Sequence, residues 1–297
     1  MQKTDVSFCI TSICIIGFSV LYGCSTNEDV EGIDFGAPTW AAFKEASTKI
    51  VNGKEIYVVE WDVPVSSLDE LREYYDYYWG TSDRYQTKTS PLLVNQYDGE
   101  DDMWDEDDSK HLTYCVSTDF GTDYDRAVSE MNTAASDWSN TFDLRLIYDS
   151  SHDENCSNAN TDITFSVRPW SLGGACSFFP SGNACISRTL VMDFNDFDTN
   201  DFWEENTPNV TTTGVFRHEI GHILGFRHEH IRPEAGGVCN TEDTDWRELT
   251  SYDQLSLMHY NWCGGVLESD LSFTALDIRG GNLLYGLSTT LIASSIM

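Results

Sequence analysis

Apolar residues recur at helical spacing over 123–139, where Ala127, Met131, Ala134, Ala135 and Trp138 share one face, so this stretch is expected to be an amphipathic helix. Short apolar runs at 112–117, 144–148 and 163–167 predict strands around it. Between 173 and 193 the pattern gives two strands about a Pro180-Ser181-Gly182-Asn183 turn. Upstream, 55–63 alternates loosely and predicts a strand. The stretch 67–78 predicts a helix, with Ser66 or Ser67 as N-cap and Glu70 placed for a capping box. Helix, strand and loop are mixed along the chain, which points to an α+β fold.

The pattern breaks in two places. Residues 6–21 are mostly apolar and follow Lys3, but the run is too short for a comfortable membrane span and ends in small and polar residues, so 1–23 reads as an export signal. Its end, Leu21-Tyr22-Gly23-Cys24, resembles the lipobox of bacterial lipoproteins. The resemblance implies cleavage before Cys24 and a lipid on that residue, anchoring the chain to a membrane at the cell surface or outer membrane, with 25–32 as a tether. The second break is 98–108, with Asp98, Glu100, Asp101, Asp102, Asp105, Glu106 and Asp108 and no apolar period. It reads as a solvated linker that separates a small region, 24–108, from a larger one, 109–297.

Charge and cysteines narrow the function. With 49 acidic and 17 basic residues the formal charge is −32, which argues against nucleic acid and anionic membrane surfaces as partners. Of nine cysteines, Cys9 and Cys14 lie in the signal and Cys24 at the anchor. Cys115, Cys156, Cys176, Cys185, Cys239 and Cys263 remain, an even number that predicts three disulfides in an exported chain. Proximity in the sequence pairs Cys176 with Cys185 and Cys239 with Cys263; no Cys-x-x-Cys spacing favours thiolate zinc sites.

The strongest chemical signal is 214–228, Gly-Val-Phe-Arg-His-Glu-Ile-Gly-His-Ile-Leu-Gly-Phe-Arg-His. On a helix, His218 and His222 share a face and can bind one ion, with Glu219 beside them and Gly225 permitting the turn that returns His228 as a third ligand. Three neutral imidazoles leave a tetrahedral Zn²⁺ one open position, the mark of a catalytic site, where a carboxylate can act as general base towards a metal-activated water.

The extended His-Glu-x-x-His-x-x-Gly-x-x-His motif, with Ser256-Leu257-Met258-His259-Tyr260 in the place of a Met-turn, resembles the metzincin zinc peptidases and, among them, the astacin-like enzymes. The resemblance implies a mixed twisted sheet, an active-site helix, a Met-turn and a C-terminal helix near 277–286. It implies zinc-dependent cleavage of protein or peptide substrates, with His218, His222 and His228 on the metal, Glu219 as general base, Tyr260 assisting the oxyanion and Met258 as an apolar floor. It also implies an edge strand near Cys176-Ser177-Phe178-Phe179, a structural role for His259, and Glu229 as anchor of the mature N-terminus. His230 stands where that group commonly has glutamine and is a candidate fourth ligand. Residues 24–108 are a candidate propeptide; a zinc-bearing surface binding protein and a non-peptide amide hydrolase are the rival functions.

Overall fold

The computed structural model describes residues 39–51, 53–59, 63–65, 67–69, 71–72, 75, 92–182, 184–236, 239, 245–266 and 270–289. Cys24, the export signal and much of the helix expected over 67–78 lie outside the described residues.

The apolar stripe at 127–138 folds as the helix Tyr124–Thr141, burying Ala127, Met131, Ala134, Ala135 and Trp138, the face its spacing predicts. The strands in chain order are Thr48–Val51 (β1), Lys54–Val59 (β2), Val63–Val65 (β3), Leu93–Tyr97 (β4), Glu100–Asp101 (β5), Leu112–Val116 (β6), Leu146–Tyr148 (β7), Phe165–Pro169 (β8), Ala175–Cys176 (β9), Thr189–Met192 (β10), Phe226–Arg227 (β11) and Trp246–Glu248 (β12). The central sheet runs β7-β6-β8-β10-β9; the first four strands are parallel and β9 closes the edge antiparallel. It is thus a mixed sheet, and with the helices it makes the expected α+β architecture. The strands read from 112–117, 144–148, 163–167 and 173–193 are all present within a few residues.

One large core lies between this sheet and the two helices Tyr124–Thr141 and Thr212–Ile223. Trp138 is its anchor: the indole stacks on Phe226 at 5.7 Å, meets Phe273 edge-on at 4.7 Å and donates from Nε1 to the Arg217 carbonyl at 2.9 Å. Burying a side chain of that size contributes on the order of 4 kcal/mol, and its hydrogen bond fixes the second helix against the first.

The stretch 98–108, read from composition as a solvated linker, keeps most of its acidic side chains exposed but is tied into the larger region at Asp102, Met103 and Trp104. Asp102 is buried and its carboxylate accepts from Asn95 Nδ2 at 2.7 Å and Ser181 Oγ at 2.8 Å. Met103 and Trp104 pack on the main core. Immediately upstream, β4 is the middle strand of the sheet β11-β4-β12, so residues from 92 onward are built into the larger region. Asp102 can be buried because amide and hydroxyl donors receive its charge, while Asp98, Glu100, Asp105, Glu106 and Asp108 remain exposed. The earlier strands β1–β3 form a separate antiparallel meander, in which Ile56 and Val58 rest on Cys176, Cys185 and Val191.

All six remaining cysteines are paired, as Cys115–Cys156, Cys176–Cys185 and Cys239–Cys263. The two pairings expected from proximity are both present. Among the described residues no helix is long and apolar enough to cross a membrane.

Candidate metal centre

Thr211 caps the helix Thr212–Ile223 by accepting from Gly214 N at 3.1 Å, and every residue from Gly214 to Ile223 is buried. At its far end Trp104 Nε1 donates to the Ile223 carbonyl at 2.7 Å and the Tyr285 hydroxyl to the Leu224 carbonyl at 2.8 Å, which satisfies carbonyls the helix itself cannot pair. Gly225 then turns with φ +92°, and a Cβ there would lie 2.0 Å from the Asp102 carbonyl oxygen. Glycine is required twice over, for the positive φ and for the close approach. The chain leaves through β11, paired to β4, and delivers His228 back towards the helix.

The three imidazoles meet. His218 Nε2 and His222 Nε2 each lie 3.1 Å from His228 Nε2, and the three donor atoms fall within 4.8 Å of one another, all buried. Their outer nitrogens are fixed by acceptors: His218 Nδ1 donates to the Leu257 carbonyl at 2.7 Å, and His222 Nδ1 to the Phe226 carbonyl at 2.8 Å. With those protons on Nδ1, both rings turn a lone pair inward, and a single proton on His228 could satisfy only one of them. A cation resolves the conflict. Zn–N bonds of ~2.0–2.1 Å in a tetrahedron place nitrogens about 3.3 Å apart, close to the separations found. The donor set therefore fits Zn²⁺.

Glu219 is buried and lines the cleft with His218 and Tyr260. The Tyr260 ring lies 4.3 Å from that of His228 and 5.8 Å from that of His218, centroid to centroid. Met258 is fully buried under the helix; a Cβ on Gly221 would fall 2.4 Å from its sulfur, so glycine at 221 is what admits the methionine. Phe179 meets the His222 ring edge-on at 5.5 Å, while Phe178 is in the core.

His230 stacks on Tyr260 at 4.5 Å and is not one of the converging donors, which removes it as the candidate fourth ligand. His259 donates from Nδ1 to the Tyr260 carbonyl and accepts at Nε2 from the Tyr252 hydroxyl, both at 2.8 Å. Burial lowers its pKa to about 4, so it stays neutral and serves as a brace. Glu229 is paired with Arg232, whose Nε lies 3.0 Å from Glu229 Oε2, and Asp253 N donates to Oε1 at 3.1 Å.

One positioning residue escapes the motifs. Asp277, fully buried in the first turn of the helix Ala275–Tyr285, accepts from Ser256 Oγ at 2.6 Å and from Leu257 N and Thr274 N at 3.0 Å. It thereby holds the turn whose Leu257 carbonyl receives His218. The signal was present as Thr274-Ala275-Leu276-Asp277, a capping-box pattern. Burial pushes the Asp277 carboxyl up from 3.8 to about 6, against those three hydrogen bonds. Since the folded pKa is the higher one, its contribution to stability is complete below pH ~4 and is lost as pH rises to about 6, by about 3 kcal/mol. Chemical denaturation of wild type and Asp277→Asn at pH 4.5 and pH 7 checks this. The variant is expected to lack that part of the pH slope, and identical slopes in the two proteins would refute it.

No family model matches the chain. It is 32% identical over 106 residues to Protein SpAN of Strongylocentrotus purpuratus, covering 30% of this chain and 17% of that protein. It is 34% identical over 82 residues to zinc metalloproteinase nas-3 of Caenorhabditis elegans, covering 24% of this chain and 28% of the relative. The matches thus span less than a third of either relative. Among solved structures it is similar to high choriolytic enzyme 1, a hatching enzyme zinc-protease from Oryzias latipes (TM-score 0.40, 17% identity, 63% of this chain and 96% of that one). The chain thus carries a motif that resembles that of the astacin-like metzincins and shares sequence with a protein named as a zinc metalloproteinase.

Proposed function

We propose that this chain is a zinc-dependent endopeptidase, in which His218, His222 and His228 hold the metal. The observation that carries the reading is the inward convergence of three buried Nε2 atoms, two with Nδ1 committed to carbonyls, at one end of a cleft lined by Glu219 and Tyr260. Zn²⁺ bound there would polarise a peptide carbonyl and lower the pKa of a water towards ~7. Glu219 accepts the proton of the attacking water and returns it to the departing amide nitrogen. Tyr260 donates its hydroxyl proton to the carbonyl oxygen as negative charge gathers there. Met258 supplies the apolar floor that keeps the ligand geometry, and the edge strand β9 offers main-chain groups to an extended peptide.

The described fold also bears on processing. The candidate propeptide would end before Leu92, because a cut after 108 would take away the central strand of the sheet β11-β4-β12. The disulfides suit an exported protein, and lipid attachment at Cys24 would hold it at a membrane surface.

Metal analysis with casein hydrolysis tests the reading. Purified protein is expected to carry about one zinc per chain, to lose casein hydrolysis on chelation and to regain it with Zn²⁺. Protein that binds zinc but cuts neither casein nor gelatin would instead be a surface binding protein.

A further inference from the structure

Beside His218 the cleft opens into a pocket whose composition is unlike the rest of this acidic chain. Its walls are Phe197, Trp203 and Trp262 on one side and Val210, Val215 and Leu271 on the other, with Gly174 and Ala175 beside them. Glu219 is its one acidic side chain, and no lysine or arginine lines it among the described residues. The aromatic wall is built, not fortuitous. Trp203 packs on Phe197 at 4.4 Å and on Trp262 at 5.8 Å, and Trp262 stacks on Tyr260 at 4.5 Å. The Trp203 indole is aimed by its Nε1–H donating to Asp196 Oδ2 at 2.8 Å, an oxygen that also accepts from Gly174 N at 3.0 Å. One carboxylate thus fixes both the wall and the adjoining backbone.

His218, Glu219 and Tyr260 form the inner end of this pocket, whereas His222 and His228 do not line it. Resting on the endopeptidase reading, we infer that the pocket receives the side chain of the residue whose nitrogen is released, and that this side chain is large and apolar: Phe, Trp, Leu or Met. The side follows from Glu219, which must reach the departing nitrogen and stands on the pocket's side of the cleft. The chemistry follows from the walls. Aromatic and aliphatic surfaces favour a bulky apolar group, and an acidic side chain would meet Glu219 with no lysine or arginine among the lining residues to pair with it.

The test cuts a peptide library with zinc-loaded protein and sequences the new N-termini. In parallel, acetyl-Gly-Gly-Phe-Gly-amide and acetyl-Gly-Gly-Ala-Gly-amide are titrated calorimetrically into zinc-loaded Glu219→Gln. Bulky apolar residues at the new N-termini, with the Phe peptide bound at least about tenfold more tightly, are the expected result. Val210→Arg, at the half-buried rim, is expected to shift the new N-termini towards Asp and Glu; should it not fold, the wild-type measurements still decide. Cleavage without such a preference overturns the inference and leaves the endopeptidase reading intact. No cleavage by zinc-loaded protein overturns the endopeptidase reading, and the two titrations then judge the pocket alone: tighter Phe binding supports it, and equal binding removes it.

Discussion

Glu219→Gln is expected to lower kcat for peptide hydrolysis by about 10²–10⁴-fold, the usual worth of a positioned general base, with zinc content unchanged. The amide has nearly the shape of the carboxylate, so the buried helix around it is preserved. What it loses is the capacity to take a proton, which the attacking water must give up and the departing nitrogen must receive. The three nitrogens belong to other side chains, and their Nδ1 anchors at Leu257 and Phe226 do not involve residue 219, so metal binding and catalysis separate in this variant. Zinc stoichiometry and hydrolysis of a quenched fluorescent peptide, measured on one preparation, check it. Full activity in the variant would mean that another group carries the proton. Loss of zinc along with activity would mean that the carboxylate shapes the site instead.

The centre was legible because its chemistry is local. His218 and His222 are one helical turn apart, and Gly225 supplies the turn that returns His228; each of these is fixed within eleven residues of chain. The helix over 123–139 was legible for the same reason, since its buried face is set by spacing alone. What sequence reasoning missed depends on partners distant in the chain. Asp102 looks like one more solvated acid until Asn95 and Ser181 are placed around it, although Met103 and Trp104 inside the run were a sign of burial. The pocket wall joins Phe197 and Trp203 to Trp262, some sixty residues apart, and no period links them. His230 sits close enough to His228 in sequence to qualify as a ligand, and only the packing of its ring on Tyr260 assigns it elsewhere.

Arg232→Met is expected to cost about 3–5 kcal/mol of stability, the range for breaking one side of a buried ion pair. Glu229 and Arg232 are both almost wholly buried and face each other at 3.0 Å. Burial pushes the Glu229 carboxyl well up, and the guanidinium is the strongest influence opposing that rise. Without Arg232 the carboxyl must stay charged in an apolar surrounding or take a proton, and either is costly. The expected loss corresponds to a fall in Tm of roughly 6–15 °C for a chain of this size. The damage reaches the metal, because Glu229 N donates to the Met258 carbonyl at 2.8 Å and its Oε1 receives Asp253 N, tying the segment after His228 to the loop beneath the site. Zinc affinity should therefore fall along with Tm. The double variant Glu229→Gln with Arg232→Met removes both charges and should recover most of the stability, as buried pairs replaced together often do. Scanning calorimetry of the wild type, the single and the double variant gives the coupling directly. If the double variant is no more stable than Arg232→Met, the penalty lies in lost packing and not in a stranded carboxylate.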